Sequence, residues 1–245
     1  MFSSVRSLLN ASAVAGAVFA LPALAQDGTG ELTLSANAAV VSEYRFRGVD
    51  LSGGDIAIQG GIDAAHSSGF YVGTWGSSLD EDTLGYGNIE LDIYAGWSAE
   101  MMPGLSVDVG AIYYIFPNAP EGDFDYVEAY ASAGFRLGPG ELTVGLAYAP
   151  EQDSLAGSDN LYVFADAGVG VPGTPVSLAA HVGYTDGFLT FTDNNQAWDW
   201  SVGIDYALTQ NVSLGVAYVG AEGDYLPGDY EFTDDAIVFS LSAGF

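Results

Sequence analysis

From Glu31 onward apolar and polar residues alternate with a period of two, in runs broken by clusters of Gly, Pro, Asn and Asp. That period puts successive side chains on opposite faces of a β-strand. Twelve segments follow it, at 32–47, 56–66, 70–77, 88–100, 105–116, 126–137, 141–148, 160–171, 176–185, 197–208, 212–219 and 236–245. The connections alternate in length. Those at 67–69, 101–104, 138–140, 172–175 and 209–211 are tight, whereas those at 48–55, 78–87, 117–125, 149–159, 186–196 and 220–235 are longer and polar. Short turns on one side, long loops on the other and both termini on the short side describe an even-stranded transmembrane barrel. The pattern therefore predicts an all-β chain: a single antiparallel up-and-down transmembrane β-barrel of about twelve strands. No linker or compositional break divides 26–245, so it reads as one domain.

The faces differ in chemistry. In the fourth segment Ile89, Leu91, Ile93, Ala95 and Trp97 alternate with Glu90, Asp92, Tyr94, Gly96 and Ser98. The tenth sets Trp198, Trp200, Val202, Ile204 and Tyr206 against Asp199, Ser201, Gly203 and Asp205. Mid-strand charges fall on the polar face, as a lipid-facing exterior demands: a cation turned to mid-bilayer costs about 2–4 kcal/mol, an acid somewhat less. A soluble barrel would show the same alternation with its apolar face inward. Aromatic placement favours the membrane orientation. Tyr44, Phe46, Tyr113, Tyr148, Tyr184, Trp198, Trp200 and Tyr218 fall at the long-loop ends of the apolar faces, and Phe70, Trp97, Phe135 and Phe245 near the short-turn ends. Two belts of this kind match the aromatic girdles of a membrane interface.

The first 25 residues follow another rule. Arg6, an apolar stretch through Leu8, Leu9, Val14, Val18 and Phe19, and then Ala23, Leu24 and Ala25 form a secretory signal with a small-x-small cleavage site, so the mature chain is expected to begin at Gln26. Losing Arg6 takes the formal charge from −28 to −29. Such acidity makes nucleic acid an improbable partner, and 49% apolar residues argue against disorder. Cysteine is absent, so stability in an oxidising compartment must come without disulfides. Outside the signal no apolar run is long enough for a membrane helix, which leaves a closed barrel as the way to span lipid.

Lysine is absent too, and Arg45, Arg47 and Arg136 are the cations after the signal. The polar faces set Glu43, Asp63, Glu90, Asp92, Asp108, Glu128, Asp166, Asp199 and Asp205 against them. A confined lumen of that balance should favour cations. Alternatively, the groups pair internally and fill the barrel; inward Tyr94, Tyr114, Tyr126, Tyr130 and Tyr162 would narrow it further. In 42–48, period two places Glu43, Arg45 and Arg47 together in the lumen near the long-loop rim, with Tyr44 and Phe46 facing lipid. The arginines there either form an eyelet or neutralise acids across the barrel and fix the register.

The stretch 42–48, with Gln59-Gly60, Gly69-Phe70-Tyr71, Trp75-Gly76-Ser77, Glu90-Leu91-Asp92-Ile93-Tyr94-Ala95-Gly96, Tyr113-Tyr114, Pro117 and Glu128, resembles the TorF-type porin family, a group of largely uncharacterised bacterial proteins. The resemblance is carried by motifs through about residue 130 and by pattern beyond it. It implies an outer-membrane barrel in contact with outer-membrane lipid and a role in transport, with no established substrate and no catalytic residue. With the polar, acidic lumen the expectation is passive diffusion of small hydrophilic solutes without a cofactor; the competing class is a non-conducting structural or adhesin-like barrel whose long acidic loops bind outside. The last segment, with Ile237, Phe239, Leu241, Ala243 and terminal Phe245 at alternate positions, is similar to the C-terminal strand by which such proteins are recognised, and implies the barrel-assembly machinery as a partner during biogenesis.

Other chemistry is weakly signalled. A nucleophilic triad needs a histidine beside a serine and an acid. His66 adjoins Ser67 and Ser68 in a tight turn, and His181 points into the lumen at mid-strand, neither at the outer rim beside a placed serine. Loop acids such as Asp80, Glu81, Asp82, Glu222, Asp234 and Asp235 lack ligand spacing, so no metal is expected. Glycines such as Gly168 and Gly170 have no following helix to form a phosphate loop.

Overall fold

The computed structural model describes residues 31–122, 124–223 and 231–245. The expected signal peptide and its cleavage point lie outside the described residues.

Twelve strands close into one antiparallel barrel: β1 (Leu32–Val41), β4 (Ala57–His66), β5 (Phe70–Ser78), β6 (Ile89–Met102), β7 (Leu105–Ile115), β8 (Tyr126–Leu137), β9 (Gly140–Gln152), β10 (Ser158–Gly170), β11 (Val176–Gly187), β12 (Gln196–Ala207), β13 (Val212–Ala221) and β14 (Ala236–Gly244). Each pairs with its sequence neighbours. Closure comes from β1 on β14, in a register that sets Asn37 opposite Gly244 and Val41 opposite Ser240. Closing the sheet satisfies every strand edge, the condition for backbone to survive in hydrocarbon.

The fold class expected from alternation is the one observed, and so is its orientation. Leu34, Ile58, Ile62, Val72, Ile93, Val109, Val202, Ile204 and Phe239 are exposed on the outer face, while the alternate positions Glu90, Asp92, Asp108, Glu128, Asp199 and Asp205 are buried. Apolar outside and acidic inside is the arrangement of a membrane barrel. Tight turns at the short ends use glycines with positive φ, such as Gly69 at 95° and Gly138 at 66°, a region open to glycine at little cost.

Some boundaries move. The loop expected at 149–159 contracts to a short 3₁₀ turn, Asp153–Leu155, because β9 and β10 run further, with an irregularity between Ser158 and Asn160. The larger change concerns the first segment, expected to continue to Arg47. The wall strand ends at Val41, where Ser42 exchanges bonds with Phe239, its N–H donating to the carbonyl at 2.8 Å and its Oγ accepting at 2.9 Å. The chain then leaves the wall and folds into the barrel as a second sheet, β2 (Arg45–Phe46) on β3 (Val49–Asp50). Arg47 and Gly48 form its two-residue turn with φ of 49° and 78°, positive at both central positions as in a type I′ hairpin.

Candidate functional site

The inner wall is a lattice of carboxylates and tyrosines. On the side nearer the short turns, Tyr71 of β5 donates to Asp108 of β7 at 2.6 Å and contacts the Tyr130 hydroxyl of β8, while Tyr94 of β6 donates to Asp63 of β4. Deeper toward the long loops, Tyr114 donates to Glu128 at 3.2 Å and Tyr44 to Glu90 at 3.3 Å. Tyrosine hydroxyls give these acids hydrogen-bond donors that bring no positive charge, as the scarcity of cations requires. The rings lie close over the neighbouring strands. A Cβ at Gly110 would overlap the Tyr130 ring and sit 2.6 Å from the Ala95 carbonyl.

A second cluster spans β10, β11 and β12. His181 Nδ1 lies 2.6 Å from Asp166 and Nε2 2.9 Å from Asp199, with the Tyr162 hydroxyl 2.8 Å from Nε2 and 3.2 Å from Asp199. Both ring nitrogens face carboxylates, a geometry in which both donate. His66 instead lies at a short turn, exposed, with Ser68 Oγ 2.7 Å from Nδ1 and Glu31 3.8 Å from Nε2. Ser68 N–H also donates to Nδ1 at 3.1 Å, the bonding of a local turn.

Between these groups sits the inward hairpin. Arg45 ion-pairs with Glu43 and gives Nη1 to three carbonyls, Gly48 at 3.0 Å, Phe232 at 3.1 Å and Asp234 at 2.9 Å. Asp50, fully buried, accepts from the N–H groups of Ser52 at 2.8 Å and Gly54 at 2.6 Å and holds the returning chain. At the tip Arg47 Nη2 meets Glu128 at 2.6 Å, and its guanidinium lies 4.2 Å from the Tyr162 ring and 4.7 Å from that of Phe46. Burial alone would lower the Arg47 pKa; Glu128 and the surrounding tyrosines outweigh it and hold the guanidinium above its ordinary value. Burial raises the Glu43 carboxyl against the pull of Arg45, with Asp50 adding to the rise. Burial and the charges of Glu90 and Asp92 keep the Tyr44 hydroxyl protonated far above its ordinary range.

Apolar packing surrounds the hairpin. Ile112, Tyr114, Phe116, Tyr126 and Leu155 form a buried cluster on one side, and Val41, Val49, Leu51, Val219 and Phe232 one on the other; Phe46 touches both. Tyr114 stacks on Tyr126 at 4.5 Å, and Phe232 meets Phe191 edge-on at 4.6 Å. The long-loop half of the interior is thus filled, while inward positions toward the short turns, such as Asp63, Ser132 and Thr143, keep partial exposure.

Three expected positions are corrected. Tyr44 and Phe46 do not face lipid: Tyr44 is 5% exposed and Phe46 lies between the two clusters, because the strand leaves the wall at Ser42. An inward hairpin alternates as a wall strand does, so period two could not separate them. Arg136 keeps the inward phase but sits exposed at the short-turn rim, opposite Glu141, rather than in the lumen. Of the remaining interior set, Glu43, Arg45 and Arg47 lie in the hairpin region, and Asp63, Glu90, Asp92, Asp108, Glu128, Asp166, His181, Asp199 and Asp205 on the inner wall. On the outer face Tyr113, Phe135, Tyr148, Trp198, Tyr218 and Phe245 are exposed, and Trp97, Tyr184 and Trp200 partly so. Tyr71 and Asp50 were missed. Tyr71 was legible from its apolar neighbours Phe70 and Val72, which fix the opposite phase for it, whereas Asp50 lay in a segment read as a loop.

The fold and its lining define the class: a transmembrane β-barrel built as outer-membrane porins are. Among solved structures it is similar to the NanC porin, with a TM-score of 0.56 at 10% identity over 86% of this chain and 98% of that one. It is likewise similar to the KdgM porin, solved in complex with disordered oligogalacturonate, with a TM-score of 0.55 at 8% identity over 87% and 98%. No curated protein matches the chain. Residues 25–245 match the model of the Gcw_chp family, described as bacterial proteins of unknown function, and the chain belongs to that family. The family description does not carry the TorF-type name.

Proposed function

We propose that the chain is an outer-membrane channel of the porin type, passing small hydrophilic solutes with a bias toward cations. In this reading residues 1–25 direct export, cleavage leaves Gln26 as the first residue, the last strand engages the barrel-assembly machinery, and the outer aromatics, Tyr113, Tyr148, Trp198 and Tyr218 with Trp97, Phe135 and Phe245, anchor the barrel at the two lipid interfaces. The observation that carries it is a closed barrel with an apolar outer face and buried carboxylates within, whose two inner arginines are each held by an acid. Carboxylates among low-dielectric walls attract cations and repel anions. Oligogalacturonate, named with the KdgM porin, is a polyanion, so that class of solute does not transfer to this lumen.

The filled long-loop half favours a second reading, a barrel that does not conduct and whose acidic loops bind outside the cell. Planar bilayers separate the two. With the mature protein reconstituted across a salt gradient, discrete openings are expected, with a reversal potential on the cation side. Anion preference defeats the proposed bias. Silence from both the wild type and a variant with 43–55 replaced by a short Gly-Ser linker leaves the non-conducting barrel.

A further inference from the structure

The Arg47 guanidinium occupies a recess whose walls come mainly from the barrel. Glu128 of β8 takes Nη2 at 2.6 Å, Tyr114 of β7 donates to the same oxygen at 3.2 Å, and Tyr162 of β10 presents its face at 4.2 Å. Phe46 completes the enclosure from the hairpin at 4.7 Å. A carboxylate beside an aromatic face is a cation receptor, combining a charge-assisted bond with the ring quadrupole.

Two features set this recess apart from a finished structural ion pair. Its walls offer more acceptor than Arg47 uses. Asp92, 1% exposed and close enough to Glu90 and Glu128 to feel their charges, leaves Oδ1 without a hydrogen-bond partner, and so do Glu90 at Oε2 and Glu128 at Oε1. The occupant is also imperfectly held, since Nη1 of Arg47 is buried without a partner and its backbone sits in the left-handed region at φ 49°, a conformation that a non-glycine residue disfavours. Among the described residues no group of His, Cys, Asp and Glu is arranged to hold a metal ion.

We propose that this recess is a binding site for a solute bearing a guanidinium or primary amine, and that Arg47 is its tethered occupant, displaced when such a solute enters. This deepens the cation-biased channel reading and rests on it for its physiological meaning, but binding can be read without conduction. The tether explains why entry is selective. A group held on a short segment acts at an effective concentration in the range of about millimolar, so a free solute displaces it by abundance or by using the carboxylate oxygens that Arg47 leaves unbonded.

The test uses methylguanidinium, the head of an arginine side chain, with methylurea as its neutral isostere and sodium chloride at matched ionic strength. Thermal unfolding of the mature protein is followed in detergent for the wild type, Arg47→Ala and Arg47→Ala/Glu128→Gln. Methylguanidinium is expected to raise the unfolding midpoint of Arg47→Ala, with an apparent affinity about tenfold or more above that for the wild type, while methylurea and salt do nothing. The double variant, which has lost the carboxylate, should not respond. Should Arg47→Ala fold poorly by itself, its refolding yield gives the same reading, recovery with methylguanidinium supporting the site. Equal shifts in all three proteins, a response to methylurea, or no shift and no recovery for Arg47→Ala while the double variant folds would overturn the proposal. A silent bilayer beside a positive binding result would defeat the channel and leave the recess standing.

Discussion

Asp108, Asp63, Glu128 and Asp199 each accept from a tyrosine hydroxyl, whereas Arg47 and Arg45 serve one acid apiece. The choice follows from composition: with no lysine and three arginines after the signal, an acidic inner wall has to find its donors among neutral groups. Tyr71→Phe removes the donor to Asp108 and the partner of Tyr130, and a bond to a charged acceptor contributes about 1.5–3 kcal/mol, so a clear fall in the urea midpoint of vesicle-inserted protein is expected. Glu128→Gln weakens the grip on Arg47 while keeping shape. Breaking a buried pair costs about 3–5 kcal/mol, and Arg47→Ala does more harm than Glu128→Gln because it also deletes the guanidinium packed on the Tyr162 and Phe46 rings; calorimetry in detergent should rank the two in that order. Which wall acids lie inside was legible from alternation. That His181 bridges Asp166 and Asp199 was not, since the three lie on adjacent strands whose register no local pattern states.

At the scale of elements, the hairpin of β2 and β3 decides how much of the interior is open. Gly48 carries it: φ is 78°, and a Cβ there would lie 2.6 Å from the Gly220 carbonyl oxygen. Gly48→Ala should therefore loosen the tip, seen as faster proteolysis within 43–55 in reconstituted protein and larger conductance. Glu43 gives the hairpin a pH response. Burial raises its carboxyl above the ordinary range, against Arg45 and with Asp50, so the docked hairpin holds the proton more tightly than an undocked one. Docking should strengthen as pH falls from the raised value toward the ordinary carboxylate range, and weaken above it. Conductance measured across that window is expected to fall on acidification, with a smaller fall in Glu43→Gln; a rise on acidification in the wild type would contradict the sign. The sequence led past this element because Ser42 through Arg47 alternate perfectly well. The chain leaves the wall at Ser42 and reverses inside the barrel at Arg47-Gly48, a type I′ turn whose unusual use of arginine is made tolerable by Glu128 and Tyr162 across the barrel.

For the whole molecule, the outward apolar face ties stability to hydrocarbon. Ile93 is 49% exposed on β6, and Ile93→Arg is expected to cost about 2–4 kcal/mol in a bilayer if it lies near the midplane, measured by urea unfolding from vesicles. Stripped of detergent, the wild-type barrel should aggregate rather than stay monodisperse. The sequence by itself determined the strand number, the alternation of turns and loops, and which face carries charge, because each is set by neighbours a few residues apart and by the cost of placing charge in lipid. Only the tertiary structure decided that the first long loop folds inside, which tyrosine meets which acid, and that Arg47 closes on Glu128. Those outcomes depend on groups from distant strands converging in one narrow interior, where sequence separation gives no measure of distance.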